Sequence, residues 1–252
     1  MAPKNLDDVK ARFAAGRGIW DEDWESLWRL NPTYLERYLS IRDASQNTRH
    51  LSPKVQEFIY LACAACTTHI HAPAIRAHTK AALQAGATQE EIFDVIGLTY
   101  LVGIHTVTNG ARILMELQEE LGIQDSGPSD LDDEKKRIKD SFVRQRGFWT
   151  DTWNPVLDLN PHFFEAYTEF SAQSAQANVL DAPTRELITC AFDASTTHLY
   201  HTGTKIHMRN ALKLGATPGQ VMEMLEIVSL QGIDGVVTAA SILSDEVSAH
   251  RT

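Results

Sequence analysis

The chain has 252 residues, of which 43% are hydrophobic, 22% charged and 8% aromatic, which excludes a disordered chain, a collagen-like fibre and a disulfide-stapled miniprotein. Lys plus Arg number 23 against 33 Asp plus Glu, and the net charge of −10 argues against nucleic acid or an anionic membrane as partner, since both need clustered positive charge. Three cysteines (Cys63, Cys66, Cys190) with no apolar leader fit a reducing cytoplasm, and no apolar run approaches the ~20 residues of a membrane span.

Along the chain, the first motif is Arg17-Gly18-Ile19-Trp20, followed by Trp24 and Leu30-Asn31-Pro32. Ser52-Pro53 then reads as a cap and first-turn residue of a helix over 53–69, with Val55, Phe58, Ile59, Ala62 and Cys63 at three- and four-residue spacing. The Ala-rich stretch 73–85 stops at Gly86, where a C-terminal glycine belongs. Thr88 and Glu91 form a capping box for a third helix with Ile92, Val95, Ile96 and Thr99 on one face, and Gly103 breaks the apolar run that follows.

After the polar stretch Gln124-Asp-Ser-Gly-Pro-Ser-Asp130 the whole pattern returns, displaced by 129 residues. Arg146-Gly147-Phe148-Trp149 matches Arg17-Gly18-Ile19-Trp20, and Leu159-Asn160-Pro161 matches Leu30-Asn31-Pro32. Likewise Glu186 matches Glu57, Thr196-Thr197-His198 matches Thr67-Thr68-His69, His207 matches His78, and Gly232-Ile233 matches Gly103-Ile104. Thr217-Pro218 supplies a second N-cap with Pro at the first helical position. No segment alternates as a strand does. The chain therefore reads as all-α, two tandem helical repeats at 1–123 and 130–252 joined by a linker at 124–129 and related by a pseudo-two-fold.

Six of the ten histidines fall in two short windows, His69, His71 and His78 in the first repeat and His198, His201 and His207 in the second. Imidazole suits proton transfer near neutral pH, and a glutamate on the preceding antiparallel helix is placed to orient it. That marks His78 and His207 as proton-transfer groups and Glu57 and Glu186 as their partners, although a carboxylate in the first turn of a helix also favours the helix dipole. His69, His71, His198, Tyr200 and His201 would line the pockets. Thr67, Thr68, Thr196 and Thr197 read equally well as backbone caps.

A metal set of His69, His71 and His78 would have His198, His201 and His207 as its counterpart. The spacing differs, and a preserved coordination geometry does not tolerate that drift; no metal and no other cofactor is expected. Cys63-x-x-Cys66 has the form of a redox dithiol, but the second repeat has Ser195 for Cys66 and Cys63 falls on the apolar face, as a small buried hydrophobe does.

The string from Glu57 through Thr67-Thr68-His69-Ile70-His71-Ala72-Pro73, with His78 eight residues before Gly86-Ala87-Thr88, resembles the carboxymuconolactone decarboxylase family. So does the second string, from Arg185-Glu186 through Ser195-Thr196-Thr197-His198 to His207 and Gly215-Ala216-Thr217-Pro218. The resemblance covers about residues 50–120 and 179–246, and it implies the all-helical fold shared with the alkylhydroperoxidase-D-like proteins. In the peroxidase branch two cysteines precede the histidine; measured back from His78 those positions hold His71 and Ala74, and from His207 they hold Tyr200 and Gly203. The decarboxylase branch's glutamate four residues before the histidine is replaced by Ala74 and Gly203 as well.

Together these readings give a cofactor-independent, decarboxylase-like lyase that uses histidine acid/base chemistry on a small organic acid or lactone, of the kind met in aromatic-compound breakdown. The alternatives are a thiol-dependent hydroperoxide reductase of the same fold and a non-catalytic small-molecule or metal-binding module. The nearly continuous apolar stretches around Leu101–Val107 and Ile227–Val237 exceed what one helix face needs. Since single-copy members resemble rings of three or six subunits, the resemblance implies a homotrimer of fused pairs.

Overall fold

The structure, a computed structural model, describes residues 5–123 and 132–251. The expected linker at 124–129 lies outside the described residues. The first repeat contains α1 (Leu6–Ala15), α2 (Glu22–Leu30), α3 (Pro32–Gln46), α4 (Pro53–Ala65), α5 (Ala72–Gln84) and α6 (Gln89–Leu98), then a 3-10 turn at Thr99–Gly103 and the long α7 (Ile104–Leu121). The second contains α8 (Asp132–Arg146), a 3-10 turn at Asp151–Trp153, α9 (Asn154–Leu159), α10 (Pro161–Ser171), α11 (Gln173–Ala177), α12 (Ala182–Ala194), α13 (His201–Lys213) and α14 (Pro218–Ser229). A 3-10 turn at Leu230–Gly232 leads into α15 (Ile233–His250). No strand occurs among the described residues.

Local chemistry sets the boundaries. Ser52 accepts from the Val55 amide to cap α4, and its repeat mate Asp181 accepts from Thr184 to cap α12. The Thr88–Glu91 capping box is present, and Thr217–Gln220 forms another at the same place in the second repeat. Both long apolar regions bend at the expected glycines, Gly103 and Gly232, through their 3-10 turns.

One expected boundary is wrong. The helix foreseen over 53–69 ends at Ala65, because Cys66 leaves the helical region (φ −59°, ψ 140°) and the chain reverses. The reversal is held by the His69 and Ile70 amides on the Cys66 carbonyl and by the His71 amide on the Ala64 carbonyl. It forces Ile70 to a φ of 44°, and its repeat mate Leu199 to 48°. A non-glycine residue held in the left-handed region costs about 1–3 kcal/mol; both repeats accept that strain for the same turn. Cys63 and Cys66 therefore do not share a helix, and His71 caps α5 from outside rather than standing on one helix with His78.

The chain divides into two compact units, residues 1–99 with 180–252, and residues 100–179. In the first, α4 packs against its repeat mate α12, the arrangement a pseudo-two-fold axis between them requires. There the Trp-rich α1–α3 arm also packs on α15, burying Phe13, Leu27, Leu35 and Leu39 with Ile233 and Val237, while Trp20 and Trp24 flank them. In the second unit the mates of these residues, Phe142, Val156 and Phe164, cluster with Val107 and Ala111 of α7. Each arm thus buries its apolar face against the last helix of the opposite repeat.

Two 33-residue stretches, Gln89–Leu121 and Pro218–His250, are long and apolar enough by composition to cross a membrane, unlike what the sequence reading expected. In each, 44% and 39% of the apolar window is already buried in the fold, as happens to core helices.

Candidate functional site

α4 and α5 run side by side in the first unit, and their facing positions create the first histidine–carboxylate pair. His78 Nδ1 lies 2.8 Å from Glu57 Oε2. Glu57 is the fifth residue of α4 and only 2% exposed, so its role is not that of a first-turn carboxylate on the helix dipole. Its other oxygen accepts from Arg17 Nε at 2.6 Å. Arg17 also donates to Gln56 Oε1, and Gln56 Nε2 donates to the buried Glu223 of α14 at 2.5 Å. A hydrogen-bonded chain therefore runs Glu223–Gln56–Arg17–Glu57–His78 and ties the imidazole to the second repeat.

Arg17 adopts a left-handed φ of 62° in the turn after α1. The turn is tight: a Cβ on neighbouring Gly18 would lie 2.2 Å from the Phe13 ring.

Tyr60 stacks flat on His78, with ring centroids 4.5 Å apart and an interplanar angle of 4°. Its hydroxyl is buried and has no hydrogen-bond partner among the described residues. Burial pushes the phenol pKa well above its usual value, so it remains a donor. His78, Glu57, Tyr60 and Arg17 all line a cavity of about 450 Å³, whose other walls come from the arm (Phe13, Trp24), from Tyr38, and from Gln231 and Asp234 of the second repeat. The size suits a small molecule.

The second pair is built the same way: His207 Nδ1 lies 2.7 Å from Glu186 Oε2. Its surroundings differ. The Tyr60 position is Thr189, which bonds back to the Arg185 carbonyl, and the Ala64 position is Asp193, whose Oδ2 stands 4.0 Å from His207 Nε2. Burial pushes the fully buried Asp193 carboxyl up to about 7, against the opposing pull of His207. His207 is not among the residues lining the cavity.

The remaining expected pocket residues divide. His71 lines the cavity, and His69 sits beside it, bonded through Nε2 to Asp234 at 2.9 Å. His198 and Tyr200 contact each other with ring centroids 5.8 Å apart, and burial pulls the His198 pKa down. His201 opens α13, exposed, and does not line the cavity. The metal set imagined from spacing is not the one the fold assembles: His78 goes to Glu57, while His69 and His71 converge on Asp234. All three cysteines are buried and unbridged, and burial pushes the Cys63 thiol far up and Cys190 to about 12, the reverse of what a thiolate nucleophile needs.

Sequence reasoning had no role for Arg17, Tyr60, Asp193 or Asp234. Arg17 carried a signal, since it belongs to a motif repeated at Arg146; Tyr60, Asp193 and Asp234 have no such mark, because their repeat mates are of different type.

The carboxymuconolactone decarboxylase family model matches residues 32–112 and 161–245, once in each repeat. The chain belongs to this family. A crystal structure described as a "putative gamma-carboxymuconolactone decarboxylase subunit" from Burkholderia xenovorans LB400 is 39% identical, covers 98% of this chain and 99% of its own, and superposes with a TM-score of 0.94. The curated proteins contain no match. The family match begins at residue 32, so Phe13, Arg17 and Trp24 reach the cavity from the part of the chain that precedes the match.

Proposed function

We propose that the protein is a decarboxylase-like lyase acting on a small organic acid or lactone, with His78 as the proton-transfer group. The observation that carries this reading is the Arg17–Glu57–His78 chain opening into a mixed polar and apolar cavity. With Nδ1–H held by Glu57, the protonated ring has Nε2–H for substrate.

In a substrate whose carboxylate is β to a carbonyl, directly or through an intervening C=C bond, the C–C bond breaks and CO2 leaves. The electron pair passes into the carbonyl as an enolate, and His78 Nε2 delivers its proton to carbon. The neutral ring left behind keeps its Nδ1–H on Glu57 and regains a proton from solvent. Tyr60, stacked flat on the imidazole, keeps the plane of the ring fixed. Glu57 fixes the tautomer, and Arg17 fixes Glu57.

General acid catalysis is worth about 10²–10⁴-fold. On a panel of lactone acids and unsaturated dicarboxylates, with CO2 release read directly, His78→Ala should lower kcat by that range, while His207→Ala keeps most of it. Full turnover by His78→Ala would overturn the reading. A thiol peroxidase is disfavoured by the burial of all three cysteines and the raised pKa of Cys63 and Cys190; it would return if Cys63→Ser abolished a hydroperoxide reduction that the wild-type protein performs.

A further inference from the structure

His69 and His71 lie in the reversal between α4 and α5, and Asp234 is the second residue of α15; the three place their donor atoms within 4.8 Å of one another. Asp234 Oδ2 is 2.9 Å from His69 Nε2 and 3.6 Å from His71 Nδ1. Ligands bound to one metal ion at about 2.1 Å, with angles between tetrahedral and octahedral, stand roughly 3.0–3.4 Å apart. The two separations from Asp234 bracket that range, so the carboxylate stands at a ligand's distance from both imidazoles.

Hydrogen bonding decides which nitrogen of His71 is available. Thr238, one turn along α15, donates its hydroxyl to the Asp234 carbonyl at 2.9 Å, so its oxygen accepts from His71 Nε2–H at 3.1 Å. On the other side of the ring the Ala74 amide donates to Nδ1 over a long 3.3 Å. The Ala74 bond requires Nδ1 to be unprotonated, and an ion on Nδ1 takes over the lone pair that this long contact uses, leaving the Nε2–H bond to Thr238 intact. A nitrogen lone pair and a carboxylate oxygen then face each other at 3.6 Å, an arrangement that a cation between them stabilises. A ligating histidine whose other N–H is held by a neighbouring oxygen is the usual support for such a site.

We propose that His69 Nε2, His71 Nδ1 and the Asp234 carboxylate bind one divalent d-block cation of the zinc, cobalt or nickel type. Two imidazoles and one carboxylate suit these ions, whereas calcium and magnesium prefer all-oxygen sets. Three protein ligands leave coordination positions open, and since His71 and Asp234 line the cavity, those positions are available to a carboxylate or carbonyl oxygen in it. The set is not repeated residue for residue: the repeat mates of His71 and Asp234 are Tyr200 and His105. The inference goes beyond the lyase reading and does not depend on it, because binding of the ion is measured without turnover.

The test is titration of the chelator-treated full chain with Co²⁺, read by visible d–d absorption and by calorimetry. The wild type should take up one Co²⁺ per chain that Asp234→Asn and His71→Ala do not. His69→Gln, a milder change, should lose the same band, with far-UV circular dichroism and thermal midpoint confirming that the variants remain folded. Thr238→Val keeps all three ligands and should weaken binding about 10- to 100-fold. Equal Co²⁺ uptake and equal spectra in wild type and His69→Gln would overturn the proposal, whatever the protein does to a lactone.

Discussion

The Asp193 carboxylate occupies the space that a methyl group on residue 203 would need: a Cβ built on Gly203 would lie 2.0 Å from Asp193 Oδ2. In the first repeat both positions are alanine, Ala64 and Ala74. The two sites thus exchange one carboxylate for two methyl groups, and the pair changes together because either change alone is sterically or electrostatically costly. Gly203→Ala should destabilise the protein by about 1–3 kcal/mol through overpacking, since the helical gain of up to about 1 kcal/mol is smaller. In an Asp193→Ala background the same Gly203→Ala change should turn neutral or stabilising. Chemical denaturation of the four proteins measures the coupling, and additive effects would count against it.

Burial gives Asp193 a pH signature as well. Its folded pKa, pushed up to about 7, lies above the unfolded value near 3.8. The folded state therefore holds an extra proton between about pH 4 and 7, and stability from this group falls as pH rises through that window, levelling above it. Replacement by Asn removes the titration. Relative to wild type, Asp193→Asn should gain on the order of 3 kcal/mol between pH 4 and pH 8; thermal midpoints of the two proteins across that range check it, and parallel curves would contradict the assigned direction.

Glu223 is 1% exposed and accepts from Thr48 Oγ1 (2.6 Å), the His50 and Leu51 amides (2.7 and 3.2 Å) and Gln56 Nε2 (2.5 Å). It satisfies the turn that precedes α4 and begins the hydrogen-bonded chain to His78. Removing it strands several buried donors, so Glu223→Ala should cost about 3–5 kcal/mol and should also lower kcat more than it raises KM, because Arg17 loses its brace through Gln56. A stability loss with an unaltered kcat would detach the brace from the catalytic group.

Assembly follows from exposed apolar residues that recur at repeat positions. On α7, Ile113 and Leu114 are each 48% exposed; on α15 their mates Ile242 and Leu243 are 57% and 52% exposed. Surfaces of this kind are usually covered by other subunits. We propose a homotrimer, in which six similar faces close a ring. Light scattering after gel filtration should give three times the 28.1 kDa chain mass, and Ile113→Asp with Ile242→Asp should reduce it; a wild-type mass of one chain would refute the ring.

Periodicity and repetition made the helices, the caps and the duplication legible. They also marked His78 with Glu57 and His207 with Glu186, because helices that pack side by side bring such residues together at the same place in each repeat. What stayed hidden depended on contacts far apart in sequence or on departures from the repeat. Asp234 reaches His69 across 165 residues, and the Cys66 reversal, which sets the direction of His71, rests on backbone bonds that no side-chain pattern announces. Asp193 was invisible because its mate is an alanine.

The first cavity takes part of its wall from Ile227, Gln231, Ile233 and Asp234, all in the second half of the chain. A fragment ending before the junction would carry the complete Glu57–His78 pair and still have an open-sided pocket. A change in the second half that moved these side chains would open the first half's pocket, whether or not His207 ever handles a substrate. The second repeat is wall as well as copy.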